Sequence, residues 1–419
     1  MSTNGIEFLQ KRTVRVLSLG QVLGGFGLGS TLSIGALLAQ DLSGSAAWSG
    51  AAATFSTLGS AVWAIPLARL ASARGRRTSL ATAAGLAITG ATLVITAANL
   101  HFFPLLLVAL FLLGAGSAGS LQARFAATDL PSSKSTGRDL SIVVWATTLG
   151  AVIGPNLFGP GEIVGNWLNM PDLTGPFVFT IAAQISATTV FWFGLRPDPL
   201  LVARQLDEAA SSSPRKKVSF GSAIRTLKAH PIAAYALTSI ALSHMVMVSV
   251  MSMTPVHMKD HGATLVLVGF TISLHIAGMY AFSPVFGWLS DKIGKIPTIL
   301  LGQFIFLFAL AFAGFGSENA NQVTFGLFLL GLGWSAATVS GSALVARSVP
   351  DEERTNVQGV SDAIMSLSGA FGGAVAGSIL AAAAFRGLNA AALIPVTLVL
   401  ILSGFALFKK AQAEKALVK

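Results

Sequence analysis

The sequence predicts an all-α membrane protein of twelve transmembrane helices, arranged as two pseudo-symmetric six-helix bundles. Three observations predict it. Of 419 residues, 53% are hydrophobic and 11% charged, with a mean hydropathy of +0.72, whereas a soluble domain carries about 25% charged residues. Apolar runs recur along the whole chain, each near the ~20 residues that a bilayer span needs. Basic residues collect in alternate connectors. This composition excludes a disordered chain, a secreted disulfide scaffold and an ordinary cytosolic enzyme. The absence of cysteine removes disulfides, thiolate metal ligands and a cysteine nucleophile.

The segment before the first run carries Glu7, Lys11, Arg12 and Arg15. The run from Val16 is far longer than a signal-peptide core and has no convincing cleavage context, so it reads as a retained first span. The spans are expected at 14–40, 48–70, 79–99, 102–126, 138–160, 177–195, 231–257, 264–289, 296–316, 321–346, 356–384 and 388–408. The 44 glycines suit close helix packing in lipid. The polar stretch 196–230 is the longest and acts as a cytoplasmic central loop. It separates an N-terminal bundle, 1–195, from a C-terminal bundle, 231–419.

Net charge is +10 and the isoelectric point near 10.2. In a soluble chain that would point to nucleic acid. Here the charge follows topology, so the partner is the bilayer and no nucleic acid is implied. With the N-terminus in the cytoplasm, 25 of the 27 Lys and Arg residues fall on the cytoplasmic side, and only Lys259 and Arg386 fall outside. Both termini are therefore expected to be cytoplasmic.

The halves repeat. LFLLGAG at 110–116 matches LFLLGLG at 327–333, and ARLASARGRR at 68–77 parallels GWLSDKIGK at 287–295. The offsets, 217 and 219, nearly agree, which implies duplication. Gly287, Leu289, Asp291, Lys292, Gly294 and Lys295 fit the loop signature G-x-L-x-D-R/K-x-G-R/K, and on these residues the chain resembles the major facilitator superfamily. The resemblance implies that this loop latches the cytoplasmic side, with Asp291 facing a helix N-terminus. In the first copy Ala68 replaces Gly and Ser72 replaces Asp, leaving Gly75, Arg76 and Arg77, so the latch role is firmer for Asp291.

The seventh span concentrates soft and imidazole donors. Five of nine methionines lie at 245–258, and four of six histidines at 244–275. Met247 and Met251 are spaced i, i+4 and share a helix face; His244 borders it. The eighth span repeats the spacing with His275 and Met279. With midpoints near His244 and His275, the first pair lies ~5–10 Å outward of the midplane, and Met279 ~5 Å inward. Substrate sites of such transporters lie near that depth. Thioether sulfur is soft and neutral, and imidazole suits copper and zinc. Two Met with one or two His suit Cu(I), and no buried acid serves a harder metal. The bland alternative is gap-filling methionine and a hydrogen-bonded histidine. Two such pairs on consecutive spans at similar depth favour the metal.

Met247-Val-Ser-Val-Met251 and His275-Ile-Ala-Gly-Met279 resemble the M-x-x-x-M and H-x-x-x-M hallmarks of the CcoA-like copper importers. The resemblance implies copper uptake across the bacterial inner membrane, a cytoplasmic copper acceptor as partner, and supply to cytochrome c oxidase assembly. It implies no cofactor, copper being the transported substrate. Some members carry membrane cysteines, which this chain lacks. Relatives without the motifs import riboflavin, so an organic solute, by riboflavin uptake or proton-coupled drug efflux, is the alternative.

Further residues are candidates of lesser weight. His244, near the midpoint, is a candidate accessory metal ligand; His257, Met258 and His261, at the outer mouth, are others or else solvated loop residues, the latter being preferred for these three. Met245 and Met253 lie off the 247/251 face, as lipid-facing or packing residues. Asp41, Glu162, Asp172 and Asp362 sit near span ends, where coupled protons are carried but capping acids are commoner. Arg124 is similar to an arginine of proton-coupled relatives, though pairing with Asp129 is preferred. Gly150, Gly154, Pro155, Gly159 and Pro160, with Phe158 in place of a glycine, resemble a drug-antiporter motif; a kinked, closely packed helix is the preferred reading. No Walker loop, H-E-x-x-H or hydrolase context is present, so no enzyme is expected.

Overall fold

A computed structural model describes the backbone of residues 3–48, 50–127, 129–130, 136–210 and 220–417. Fourteen α-helices and no strands occur among them. They are α1 (Thr3–Ser43), α2 (Ala51–Asn99), α3 (Phe103–Ala126), α4 (Thr136–Ile153), α5 (Phe158–Trp167), α6 (Pro176–Gly194), α7 (Pro199–Ala210), α8 (Phe220–Ala229), α9 (Pro231–Asp260), α10 (Leu265–Tyr280), α11 (Ser283–Lys292), α12 (Lys295–Phe315), α13 (Ala320–Arg347) and α14 (Asp351–Leu417). Nine stretches of the described residues are long and apolar enough to cross a membrane. One of them, Val360–Phe408, covers two expected spans and is broken at Ala384, whose backbone is left-handed. All twelve expected runs fall on helices.

The helix ends differ from expectation in ways that backbone chemistry explains. The fifth span is interrupted by a 3-10 turn at Gly154–Leu157 and resumes as α5, because Pro155 cannot donate to the helix ladder. The eighth span divides into α10 and α11 at Ala281 and Phe282, just before Ser283-Pro284 starts the second helix. The second and third spans are joined in α2 but break at Gly75, with φ 87°. The central stretch holds two amphipathic helices, α7 and α8. Leu227 of α8 is buried in a cluster with Leu237, Val345 and Val360. Lys134, Arg215, Lys216, Lys217 and Lys419 of the charge pattern lie outside the described residues.

The chain packs as two compact units. The first comprises Met1–Arg215 and Thr264–Ser273, the second Lys216–Ala263 and Leu274–Lys419. Within the first, Leu17, Leu80, Val143 and Phe191 form a core where α1, α2, α4 and α6 meet. Small residues allow the closest approaches: a Cβ on Gly150 of α4 would overlap the Val22 carbonyl of α1. This matches the packed, kinked reading of the fifth span.

The repeat is visible in backbone contacts. A Cβ on Gly114 would collide with the Ser56 carbonyl, and one on Gly331 with the His275 carbonyl. Gly59 and Gly278 make the reciprocal approaches, to Phe111 and Phe328. Each pair is separated by 217 or 219 positions, the offsets of the sequence repeat. Gly75 and Gly294, also 219 apart, both take positive φ, 87° and 100°, in the region that favours glycine.

Gly331→Ala should therefore force α10 and α13 apart and cost roughly 1–3 kcal/mol, as overpacking does. Gly85→Ala should be neutral or slightly stabilising, since nothing lies within 4 Å of a Cβ there and alanine favours helix. Thermal unfolding of the two purified variants checks the contrast. A Gly331→Ala protein as stable as Gly85→Ala would refute the packing argument.

Candidate substrate site

The seventh span forms one helix, α9, opened by Pro231 at its first turn. Its hydroxyls bond to carbonyls one turn back: Ser239 to Tyr235, Ser249 to Met245 and Thr254 to Val250. Its apolar window is 78% buried, against 22% for the Val360–Phe408 stretch. Four of the five methionines of α9 are therefore buried within the protein, and Met245 partly so. Met247 is 2% exposed, Met251 3% and Met253 0%. Met253 is a packing residue, and Met245 lies against Gly372 of α14.

His275 and Met279 lie on the part of α10 that belongs to the second unit, at 0% and 6% exposure. The Gly278–Gly331 approach brings the His275 ring beneath the backbone of α13. Its Nδ1 lies 2.7 Å from the Leu327 carbonyl oxygen. A carbonyl only accepts, so Nδ1 carries the proton and the neutral ring has its lone pair on Nε2. Nε2 is buried and has no hydrogen-bond partner among the described residues. A backbone carbonyl on one nitrogen and a bare second nitrogen is the usual arrangement of a metal-ligating imidazole. All four candidate donors are thus buried and belong to one compact unit. The pseudo-equivalent of His275 in the first unit is Ser56, so duplication does not repeat the donor set.

His244 is placed differently. Its Nδ1 lies 3.0 Å from Trp334 Nε1 on α13, and its Nε2 faces Gly369 of α14. His257 and Met258 are not solvated loop residues, as preferred from sequence. Both are buried in the last turns of α9, because that helix runs on past its expected end. His257 stacks on Phe385 at 4.2 Å, with Nε2 2.9 Å from the Ser317 carbonyl. His261 is exposed, its Nδ1 bonded to the His257 carbonyl and its Nε2 3.7 Å from Glu318. No group of three or more His, Asp or Glu among the described residues is placed to hold a metal.

The first unit holds a cleft of about 430 Å³, including its open mouth. Gln184, Ser56, Ser117, Ser120 and Thr147 line it among glycines, and Gln21 borders the adjoining space. Gln21 donates to the Ser120 carbonyl and to Thr147 Oγ1. Its described walls are uncharged. Sequence reasoning passed over these groups, although a glutamine inside an apolar run is itself a signal.

The charged residues group at the loops. Asp291, 70% exposed, pairs with Lys295 at 3.4 Å and Arg347 at 3.8 Å. Lys292 lies over the Trp288 ring, and Gly287 opens onto Val339 at 4.0 Å. In the first unit the acid missing at Ser72 comes from elsewhere. Asp198 accepts from the Arg77 amide at 2.8 Å and from the amides of Leu200 and Leu201, capping α7. A Cβ on Gly75 would fall on that carboxylate. Asp129 is held by Arg76 through two bonds of 2.8 and 3.0 Å, a partner the sequence did not suggest; the expected pairing with Arg124 falls outside the described residues. Asp41, Glu162 and Asp172 are exposed and Asp362 is partly buried; the only buried acid among the described residues is Asp198.

Residues 17–275 and 237–419 match the family described as Major Facilitator Superfamily. The uncharacterized MFS-type transporter YdeG of Bacillus subtilis (strain 168) is 38% identical over 91% of this chain and 88% of its own length. The riboflavin transporter RfnT of Brucella anthropi is 26% identical over 93% and 94%. Among solved structures, a bacterial homolog of the human lysosomal transporter Spinster, inward-facing and unoccupied, superposes with a TM-score of 0.71 at 17% identity, covering 97% of each chain.

Arg76→Ala leaves the Asp129 carboxylate, whose side chain is 9% exposed, without its bidentate partner. The expected cost is roughly 1–3 kcal/mol of stability. Lys295→Ala acts on the exposed Asp291 and should cost less than about 1 kcal/mol. Melting curves of both variants measure the difference; equal losses would contradict the ranking.

Proposed function

The chain belongs to the Major Facilitator Superfamily, and from that premise we propose that it imports copper, as Cu(I), across the bacterial inner membrane by alternating access. Membership makes it a multi-pass membrane transporter. Met247, Met251, His275 and Met279 are the transient ligands in this reading. The observation that carries it is His275 Nε2: a buried lone pair without a partner among the described residues, on the same unit as three buried thioethers.

The chemistry of the donors supports that cargo. A soft monovalent ion gains from sulfur and imidazole and needs no carboxylate to balance its charge. All four donors are neutral, so the occupied site holds only the charge of the ion. Neutral donors also bind moderately, which a carrier needs, since its site must load and empty in each cycle. The charge distribution supports cytoplasmic termini, and release there would hand copper to a cytoplasmic acceptor for oxidase assembly. His257, Met258 and His261 remain candidates for capture at the outer side.

A second reading rests on the uncharged cleft of the first unit. Its amides and hydroxyls suit a neutral, hydrogen-bonding organic solute, and a relative of this chain bears the name of a riboflavin transporter. In that case the methionines are an adaptable apolar wall.

Cu(I) accumulation in proteoliposomes under reducing conditions separates the two. Wild type should show saturable uptake, and Met247→Ala/Met251→Ala and His275→Ala should lower it at least about tenfold while the protein stays folded. Background accumulation in all three, with saturable riboflavin entry, would replace copper by the organic solute.

A further inference from the structure

The two membrane imidazoles nearest the methionine pairs carry their protons on opposite nitrogens. At His275 the Leu327 carbonyl requires Nδ1–H and leaves the lone pair on Nε2. At His244 the partner is the indole Nε1–H of Trp334, which can only donate. Nδ1 must accept, and the single proton of the neutral ring sits on Nε2. That N–H is turned toward Gly369, where a Cβ would come within 2.9 Å. His244 therefore has no lone pair left for a ligand, although it stands three residues before Met247.

Trp334 is well placed to maintain this. It is 8% exposed, and Tyr280 of α10 meets its ring edge-on at 5.7 Å and 72°. Tyr280 directly follows Met279, so the helix that carries two donors also braces the indole. We propose that Trp334 is a positioning residue that withholds His244 from the cargo, limiting the donor set to Met247, Met251, His275 and Met279. The inference rests on the copper reading and deepens it. A further imidazole would hold a soft cation more tightly and slow its release; occupying that nitrogen with an indole N–H keeps the site weak enough to empty.

The test uses the full-length protein in lipid nanodiscs. Nitrogen-15 NMR of labelled histidine, without metal, reads the tautomers directly. The expected result is Nε2–H at His244 and Nδ1–H at His275, with the His244 signals shifted by Trp334→Phe. Competition with a chromophoric Cu(I) chelator then compares wild type, Trp334→Phe, His244→Ala and the double variant. Trp334→Phe should bind Cu(I) about tenfold more tightly, on the scale of neighbours that orient a ligand, and transport it more slowly. The double variant and His244→Ala should return to wild-type affinity, which also guards against a folding defect at Trp334. Nδ1–H at His244, unchanged affinity in Trp334→Phe, or loss of binding in His244→Ala would each overturn the inference while leaving the copper reading intact. Absence of Cu(I) binding by the wild type would remove the copper reading and this inference with it.

Discussion

Hydrocarbon offers no hydrogen bonds, so polar groups inside a span are under pressure to find partners within the protein. Most of what distinguishes this protein follows from that constraint. Threonine and serine turn back to carbonyls on their own helices, as Thr57, Thr254 and Ser403 do. Glutamines reach across to neighbouring helices, Gln21 to α3 and α4 and Gln303 to Ser243. His275 Nε2 is one of eleven buried side-chain polar atoms without a partner among the described residues, and the one imidazole nitrogen of that set; an unpaired polar group in such surroundings costs about 1–3 kcal/mol. A transported ion that visits the site would offset that cost for part of the cycle.

Duplication supplied the frame, and divergence the chemistry. Gly114 and Gly331 admit the partner helix at equivalent positions, as do Gly59 and Gly278. In a bilayer the attraction between helices is mostly van der Waals contact, so a side chain at these points would separate whole helices. The backbone therefore kept its glycines in both halves. The side chains facing the same contact were free to differ, and Ser56 in one half stands where His275 stands in the other. One unit carries an uncharged polar cleft, the other a set of soft donors. The cytoplasmic loops diverged similarly. Asp291 remained in the second copy, and the first copy's missing acid is replaced by Asp198, which caps α7 and grips the Arg77 amide.

The proposed copper site follows a general rule for carriers: donors must be selective without holding too strongly. Sulfur and imidazole give selectivity through softness. Moderate strength follows from neutral ligands and, in the proposal above, from an indole that occupies one imidazole. Acids take no part in this, since the four proposed donors are neutral thioethers and an imidazole.

The sequence alone determined the fold class, the duplicated halves and the place of the donor pairs along the chain. Hydropathy, charge and spacing are properties of single residues and near neighbours, so they survive without knowledge of the packing. The superfamily assignment was legible for the same reason. Tertiary structure decided which atoms are available. Whether His244 or His275 keeps a lone pair depends on Trp334 and the Leu327 carbonyl, each more than fifty residues away. Asp129 binds Arg76, 53 residues away, because α2 brings that residue alongside the end of α3. His257 and Met258 are buried because α9 continues past its apolar run. A hydrogen bond is fixed by the direction of a neighbour that sequence distance does not reveal.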